Sequence, residues 1–312
     1  MAAGTGEHCL RPRHPLNASS VLVSLVVCTR NRSAQLAQCL DHILTLDRPD
    51  SSELIVVDNG SVDATQDIIR RYESSAWTRL VTEPKPSLSR ARNRGWRAAH
   101  GDIVVFTDDD CYPRADFLNA AVRSFSENTS LGFIGGRVLL HDPKDARVTI
   151  KENESPEEFS PSDFMYAGAV HGANFAFRRA ALESVGGFDE RFGAGTRFSS
   201  AEDIEITARV LAAGWYGAYD PRVVVSHAHG RRSRDAINAL QRQYDRGRGA
   251  YYAKCILNPK LRDVYSRHWY WAMRSQPLGR SAREAIAAIR FLLHASGRLS
   301  PPHLDGGSRS DA

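Results

Sequence analysis

Four apolar segments of strand length, each followed by a segment with helical spacing, constrain this chain most. Residues 21–29 (VLVSLVVCT), 53–58 (ELIVVD), 78–82 (TRLVT) and 102–108 (DIVVFTD) read as strands. Residues 34–46, 64–72, 88–100 and 115–125 read as helices; Leu36, Leu40, Ile43 and Leu44 show the three- and four-residue spacing. The strands are apolar almost throughout rather than alternating, which is the pattern of a sheet buried on both faces. Four β-α units in succession predict an α/β fold, a mostly parallel sheet flanked by helices with right-handed crossovers. In such sheets the ligand sits beyond the carboxyl ends of the strands.

The strand ends are therefore the places to look for chemistry. They read Thr29-Arg30-Asn31-Arg32, Asp58-Asn59-Gly60-Ser61 and Asp108-Asp109-Asp110. Asp58 taken singly also reads as a turn residue, since Asp-Asn-Gly turns well and Ser61 or Asp63 would cap a helix. No GxGxxG follows the first strand and no GxxxxGK[ST] occurs, which disfavours a dinucleotide-binding enzyme and a P-loop NTPase. Three adjacent carboxylates repel one another and call for solvent, a paired base or a cation. Asp108 and Asp110 form a DxD of hard oxygen donors, suited to Mn²⁺ or Mg²⁺ together with substrate phosphates.

Past residue 130 the alternation loosens. Residues 132–140 and 172–177 read as strands, 178–185 as a short helix, and 141–167, charged and Pro-containing, as a mobile loop over the site. Residues 202–213 form a helix closed by Gly214, 215–219 and 223–226 two more strands, and 235–295 a mostly helical region. Glu202-Asp203 falls in a first helical turn, where acids also simply favour the helix dipole. His227 and His229 share one face of a strand end and offer imidazole to a metal, or read as two exposed loop histidines.

Five segments in order, VSLVVCTRNR, ELIVVDNGSVDAT, LSRARNRGWRAAHGDIVVFTDDD, GGFDERF and AEDIEITARVLAAGW, resemble glycosyltransferase family 2, whose fold is the Rossmann-like GT-A. The resemblance runs from about residue 21 to residue 230. It implies transfer of a sugar from a nucleotide-diphosphate sugar to an acceptor hydroxyl with inversion, UDP being the first expectation and GDP or dTDP the alternatives. By the same resemblance Asp203 is the base, beside Glu202. Donor contacts fall to Thr29, Arg30, Asn31, Asp58, Arg90, Asn93, Asp108 and Asp109. Arg90, Arg92, Asn93 and Arg94 form the segment that borders the nucleotide, one arginine pairing with the donor and the others reading as solvated. Asp108 and Asp110 would hold the metal with His227, His229 being the reserve, and Ala173 and Asn174 would line the acceptor side. Processive relatives carry QxxRW and membrane helices; here Gln243 to Gly247 reads QxxRG, so addition of a single sugar is expected.

Charge divides the chain. Residues 231–300 hold 15 Lys and Arg against 4 Asp and Glu, whereas the whole chain has 41 against 36. With Tyr251, Tyr252, Tyr265, Trp269, Tyr270 and Trp271, this region reads as a surface for an anionic membrane or a lipid-linked acceptor, or as helices packed on the body. The expected domains are a flexible arm (1–18), a catalytic domain (19–230), the basic helical region (231–300) and a flexible tail (301–312). The cysteine count of 5, the lack of CxxC, the absence of an apolar leader and the lack of the roughly 18–20 apolar residues needed to cross a bilayer favour a cytoplasmic protein, peripheral on the inner face of a membrane. A sugar nucleotidyltransferase is disfavoured by the lack of a Gly-rich loop, and a polyanion-binding protein would leave both acidic motifs idle; no nucleic-acid partner is expected.

Overall fold

The computed structural model describes residues 23–296 except 74 and 76, so the arm and the tail read above lie outside the described residues. β1 (Val23–Thr29), β2 (Ser52–Asp58), β3 (Thr78–Thr82) and β4 (Ile103–Asp108) are parallel, joined through α1 (Ser33–Ile43), α2 (Thr65–Tyr72) and α3 (Leu88–Ala98). After them come β5 (Cys111–Pro113), α4 (Phe117–Glu127), β6 (Leu131–Leu140), β7 (Glu157–Phe159), β8 (Asn174–Arg178) and α5 (Arg179–Val185). The chain continues through α6 (Glu202–Ala212), β9 (Tyr216–His227), α7 (Arg234–Leu257), α8 (Arg262–Ser275) and α9 (Leu278–Ala295). One sheet results, in the order β3-β2-β1-β4-β8-β6-β9-β5, with β7 beside β9.

Both faces of the sheet are covered, as the unbroken apolar strands require. Val26, Val57, Val104 and Phe106 enter one core with Ala91 and Trp96 of α3. Leu25, Val27, Val56 and Val105 enter the other with Leu36 and Leu40 of α1 and Phe117 of α4. Register brings the strand ends level, Thr29 opposite Asp58 and Cys28 opposite Asp108.

Three features depart from the sequence reading. β8 runs antiparallel to its neighbours β4 and β6. The two strands read at 215–219 and 223–226 are a single strand, β9, which starts at Tyr216 and whose register on β6 slips after Asp220. Asp220 is held there by the Ser124 hydroxyl and the Arg222 guanidinium, so tertiary contacts carry the strand through a segment that local pattern breaks. Residues 141–167 are tied down: Val138 bridges Lys151, β7 pairs with β9, and Phe159 and Met165 are buried.

Most aromatics of the basic region are core residues rather than a surface. Tyr251, Tyr252 and Tyr265 are buried, Trp269 stacks on Tyr252, and only Tyr270 and Trp271 of the six are exposed. The Tyr251 hydroxyl donates to the Met165 carbonyl, and the Tyr265 hydroxyl accepts from the Met165 N–H. No helix of the described residues is long and apolar enough to cross a membrane.

Candidate active site

A cavity of about 430 Å³ opens at the carboxyl edge of the parallel strands. One wall is Thr29, Arg30 and Arg32 with Asp108, Asp109 and Asp110; the other is Glu202 and Asp203, roofed by Gln243 and Tyr244 of α7.

Topology builds the first wall. The short strand β5 starts directly after the three aspartates and pairs antiparallel with the end of β9, setting Cys111 opposite His227. His227 Nε2 then lies 3.3 Å from Asp110 Oδ1, and the Ala228 N–H donates to the Asp110 carbonyl at 2.8 Å. The Arg32 guanidinium reaches both neighbours, 2.6 Å from Asp110 Oδ2 and 3.1 Å from Asp109 Oδ1. Thr29 donates its hydroxyl to Asp109 at 2.7 Å.

Adjacent carboxyls are pushed apart. Burial raises Asp109 to about 7, against the pull of Arg32 and Thr29. Burial acts to raise Asp110 too, but His227 and Arg32 overcome it and hold Asp110 at about 2. Burial works to lower His227, and the Asp110 carboxylate beside it wins and raises it.

The second wall hangs on Arg92. In α3, Leu88, Ala91, Arg92, Gly95 and Trp96 fall on one helical face, which packs inward. That phase buries the Arg92 guanidinium above the Phe175 and Phe188 rings. It donates to Glu202 at 2.9 Å and to the Gly172 carbonyl at 3.1 Å, and lies 3.3 Å from Asp108 Oδ1. A side chain at Gly172 has no room, since its Cβ would stand 2.7 Å from Arg92 Nη2. Asp203 accepts from the N–H groups of Gly172 at 3.1 Å and Ile204 at 2.8 Å, which aims its carboxylate from the first turn of α6. Ala201, just before this pair, has a φ of 72°, a strained backbone of the kind found at functional sites. Burial and the neighbouring Asp203 charge push Glu202 up to about 7, against the pull of Arg92.

The donor set on the first wall fits a hard divalent cation. Two ligands of one octahedral ion, each about 2.1 Å away, stand about 3 Å apart, close to the Asp110–His227 spacing of 3.3 Å. Asp108, a third exposed, lines the same cavity. Cys111 Sγ also lies near Asp110 and His227, but burial drives its thiol well above the ordinary range and sulfur suits softer metals.

Of the residues expected at the site, Thr29, Arg30, Asp108, Asp109, Asp110, Ala173, Glu202, Asp203 and His227 line this cavity. The others are placed elsewhere. Asp58 is fully buried, accepting from the Ser61 N–H and the Gln66 amide, and so closes the turn after β2. Asn31, with a φ of 54°, accepts from the Val62 N–H and ties the β1 and β2 loops together. Arg90 pairs outward with Glu190 at 2.6 Å. Asn93 is spent on the Phe188 backbone and the Trp96 indole, holding the GGFDERF turn. Asn174 donates to the Arg137 and Val223 carbonyls and so ties the start of β8 to β6 and to β9 beyond it. His229 sits beside Asp145 and the Ala146 carbonyl, because β9 ends at His227 and the chain turns away.

Arg32, His171, Arg231 and Tyr244 also line the cavity and carry no assignment from sequence, whereas Arg92 stands there only as one of three candidate arginines and Gln243 only as the first residue of QxxRG. The helical phase of α3 points to Arg92 over Arg90; the α7 residues carry a signal in QxxRG and in their spacing, with Leu240, Gln243, Tyr244, Gly247 and Arg248 on one face.

Comparison with known proteins identifies the family and the fold. Residues 24–186 match the family Glycosyl transferase family 2. The chain is 25% identical over 248 residues to Glycosyltransferase AglE of Haloferax volcanii, covering 78% of each. It spans about half the length of several other curated relatives. Among solved structures it is similar to the mannosyltransferase PcManGT from Pyrobaculum calidifontis in complex with GDP-Man and Mn²⁺, with a TM-score of 0.63, 24% identity and coverage of 94% of this chain and 80% of that one. It is also similar to S. aureus TarS 1–349 in complex with UDP-GlcNAc, with a TM-score of 0.59, 17% identity and coverage of 87% of this chain and 81% of that one.

Proposed function

The chain belongs to glycosyltransferase family 2 and has the GT-A fold, and from that premise we propose a divalent-metal-dependent, inverting transferase that adds one sugar to an acceptor hydroxyl. The observation that carries the proposal is the meeting of two acidic walls on one cavity, Asp108 to Asp110 on one side and Glu202-Asp203 on the other. Mn²⁺ or Mg²⁺ held by Asp108, Asp110 and His227 would supply positive charge to the leaving diphosphate. The protein's own groups do the rest. Asp203, aimed by two backbone N–H groups, takes the proton of the acceptor hydroxyl. The hydroxyl oxygen bonds to the anomeric carbon as the bond to the phosphate oxygen breaks, and the diphosphate leaves with that electron pair. Arg92 keeps Glu202 and Asp203 in place and ties them to Asp108. Arg30 and Arg231 add positive charge to the cavity that receives the diphosphate.

By family resemblance UDP-sugars stand first as donors, with GDP- and dTDP-sugars as alternatives; the similar structures hold GDP-Man and UDP-GlcNAc. The acceptor is a hydroxyl compound, soluble or lipid-linked. A panel of nucleotide sugars assayed for nucleoside diphosphate release, with Mn²⁺ and with EDTA, tests the reading. Release from one nucleotide class that stops in EDTA is expected. Release unchanged by EDTA would remove the metal, and failure to bind any nucleoside diphosphate by calorimetry would remove the donor site.

A further inference from the structure

Part of the positive charge of residues 231–296 is exposed beside an apolar face of α9. α9 buries Ala287, Ala288 and Phe291 against the rest of the protein. Its other face carries Leu278, Ala282, Ile286, Ile289 and Leu293, at intervals of four, four, three and four residues, which align as one stripe. The stripe is about 22 Å long at 1.5 Å per residue. Leu278 is 86% exposed, Ile286 50% and Ile289 56%, so little of the protein covers it.

Along one edge of the stripe lies a cleft lined by Arg197, Phe198, Arg246, Ile286 and Arg290. Arg283, also in the cleft, is bound to Asp245 at 2.7 Å. Arg197, Arg246 and Arg290 have no carboxylate partner among the described residues. The region's own acids do not reach them. Asp245 and Glu284 are buried and held by Arg248 and Arg283, while Asp235 and Asp263 do not line the cleft.

We propose that this face of α9 and its arginine cleft dock the enzyme on an anionic phospholipid surface. The stripe enters the boundary between headgroups and acyl chains, and Arg197, Arg246 and Arg290 meet lipid phosphates. A helix with one apolar face and flanking arginines lies in the plane of such an interface, and each basic side chain adds attraction to anionic lipid. Charge argues against a second copy as occupant, because pairing two stripes would also bring two sets of arginines together. Residues 197–200 connect this surface to the cavity: Arg197 and Phe198 line the cleft, Ser199 and Ser200 the active site. Docking therefore sets the acceptor wall beside the lipid, and it does so whatever the donor is.

Flotation of the full chain with vesicles of phosphatidylcholine, alone or mixed with phosphatidylglycerol, tests the proposal. Binding to the mixed vesicles only, weakened by added salt, is expected. The double variant Arg246→Ala/Arg290→Ala should bind about 25-fold more weakly, at about five-fold per arginine. Ile286→Glu/Ile289→Glu should abolish flotation while leaving the thermal midpoint unchanged, since both side chains are at least half exposed. Asp110→Ala should float like the wild type, which separates this surface from the donor reading. Equal flotation with both vesicle types, no flotation with either, or flotation untouched by both double variants would overturn the proposal. So would loss of a dimer on Ile286→Glu/Ile289→Glu in sedimentation, which would make the stripe a self-interface.

Discussion

Each acidic wall of the cavity is held by one arginine, and the two arginines differ in freedom. The Arg92 side chain is 2% exposed, boxed by Glu202, Asp108, the Gly172 carbonyl and two phenylalanine rings. The Arg32 side chain is 38% exposed and sits at the cavity rim on Asp109 and Asp110. A buried guanidinium cannot leave without stranding the charges it pairs, whereas an exposed one moves into water at small cost. One wall is therefore fixed and the other is open to exchange. That division suits a site in which the base must not move and the donor's counter-charge must come and go.

Breaking the fixed wall should have the largest effect. Arg92→Leu leaves Glu202 buried without its partner and should lower unfolding free energy by about 3–5 kcal/mol in urea titration. A loss below about 1 kcal/mol would show that the wall does not depend on this pair. An intermediate effect is expected at its outer brace. Asp189 is bound by Arg191 and by Lys254 at 2.5 Å, and Lys254 also reaches Glu205 of α6, the helix that carries Glu202 and Asp203. Burial works to raise Asp189, but the Arg191 and Lys254 contacts hold it well below the ordinary carboxylate range. Such a depressed group stabilises the fold above its ordinary pKa of about 3.9 and loses that contribution as pH falls toward its lowered native value. Asp189→Asn should cost about 2 kcal/mol at pH 7. The difference from wild type should shrink below about pH 4, and a constant difference from pH 7 to pH 3 would contradict this. The smallest effect belongs to the open wall. Arg32→Ala should change stability by less than about 1 kcal/mol and tighten Mn²⁺ binding in calorimetry, because the cation no longer competes with a guanidinium. Weaker Mn²⁺ binding would mean that Arg32 helps to build the metal site.

The same division describes what was legible in the sequence. The parallel half of the sheet could be read because strands buried on both faces are apolar throughout, and its ends announced Asp108 to Asp110. The pairing of β5 with β9, which brings His227 to Asp110, joins segments over a hundred residues apart, and three residues of β5 carry no pattern of their own. A period of two put His227 and His229 on one face, but the strand ends at His227 and only that residue faces the aspartates. Resemblance alone pointed to Arg90 and Asn93, whereas the phase of α3 turns Arg90 outward, spends Asn93 on the Phe188 turn and leaves Arg92 between the walls. The walls themselves could be read from motifs, and the arginines that hold them could not, since a charged side chain is ordinarily read as solvated.

The central claim is that the walls do separate work, the aspartates of the first holding the donor and Asp203 of the second moving the proton. Titration of the responsive nucleoside diphosphate with Mn²⁺ into wild type, Asp110→Ala and Asp203→Asn, alongside turnover of its sugar donor, tests it directly. Asp203→Asn should bind like wild type while turnover falls by about 10²–10⁴, and Asp110→Ala should lose binding and turnover together. Turnover that survives Asp203→Asn, or nucleotide binding that survives Asp110→Ala, would contradict the assignment.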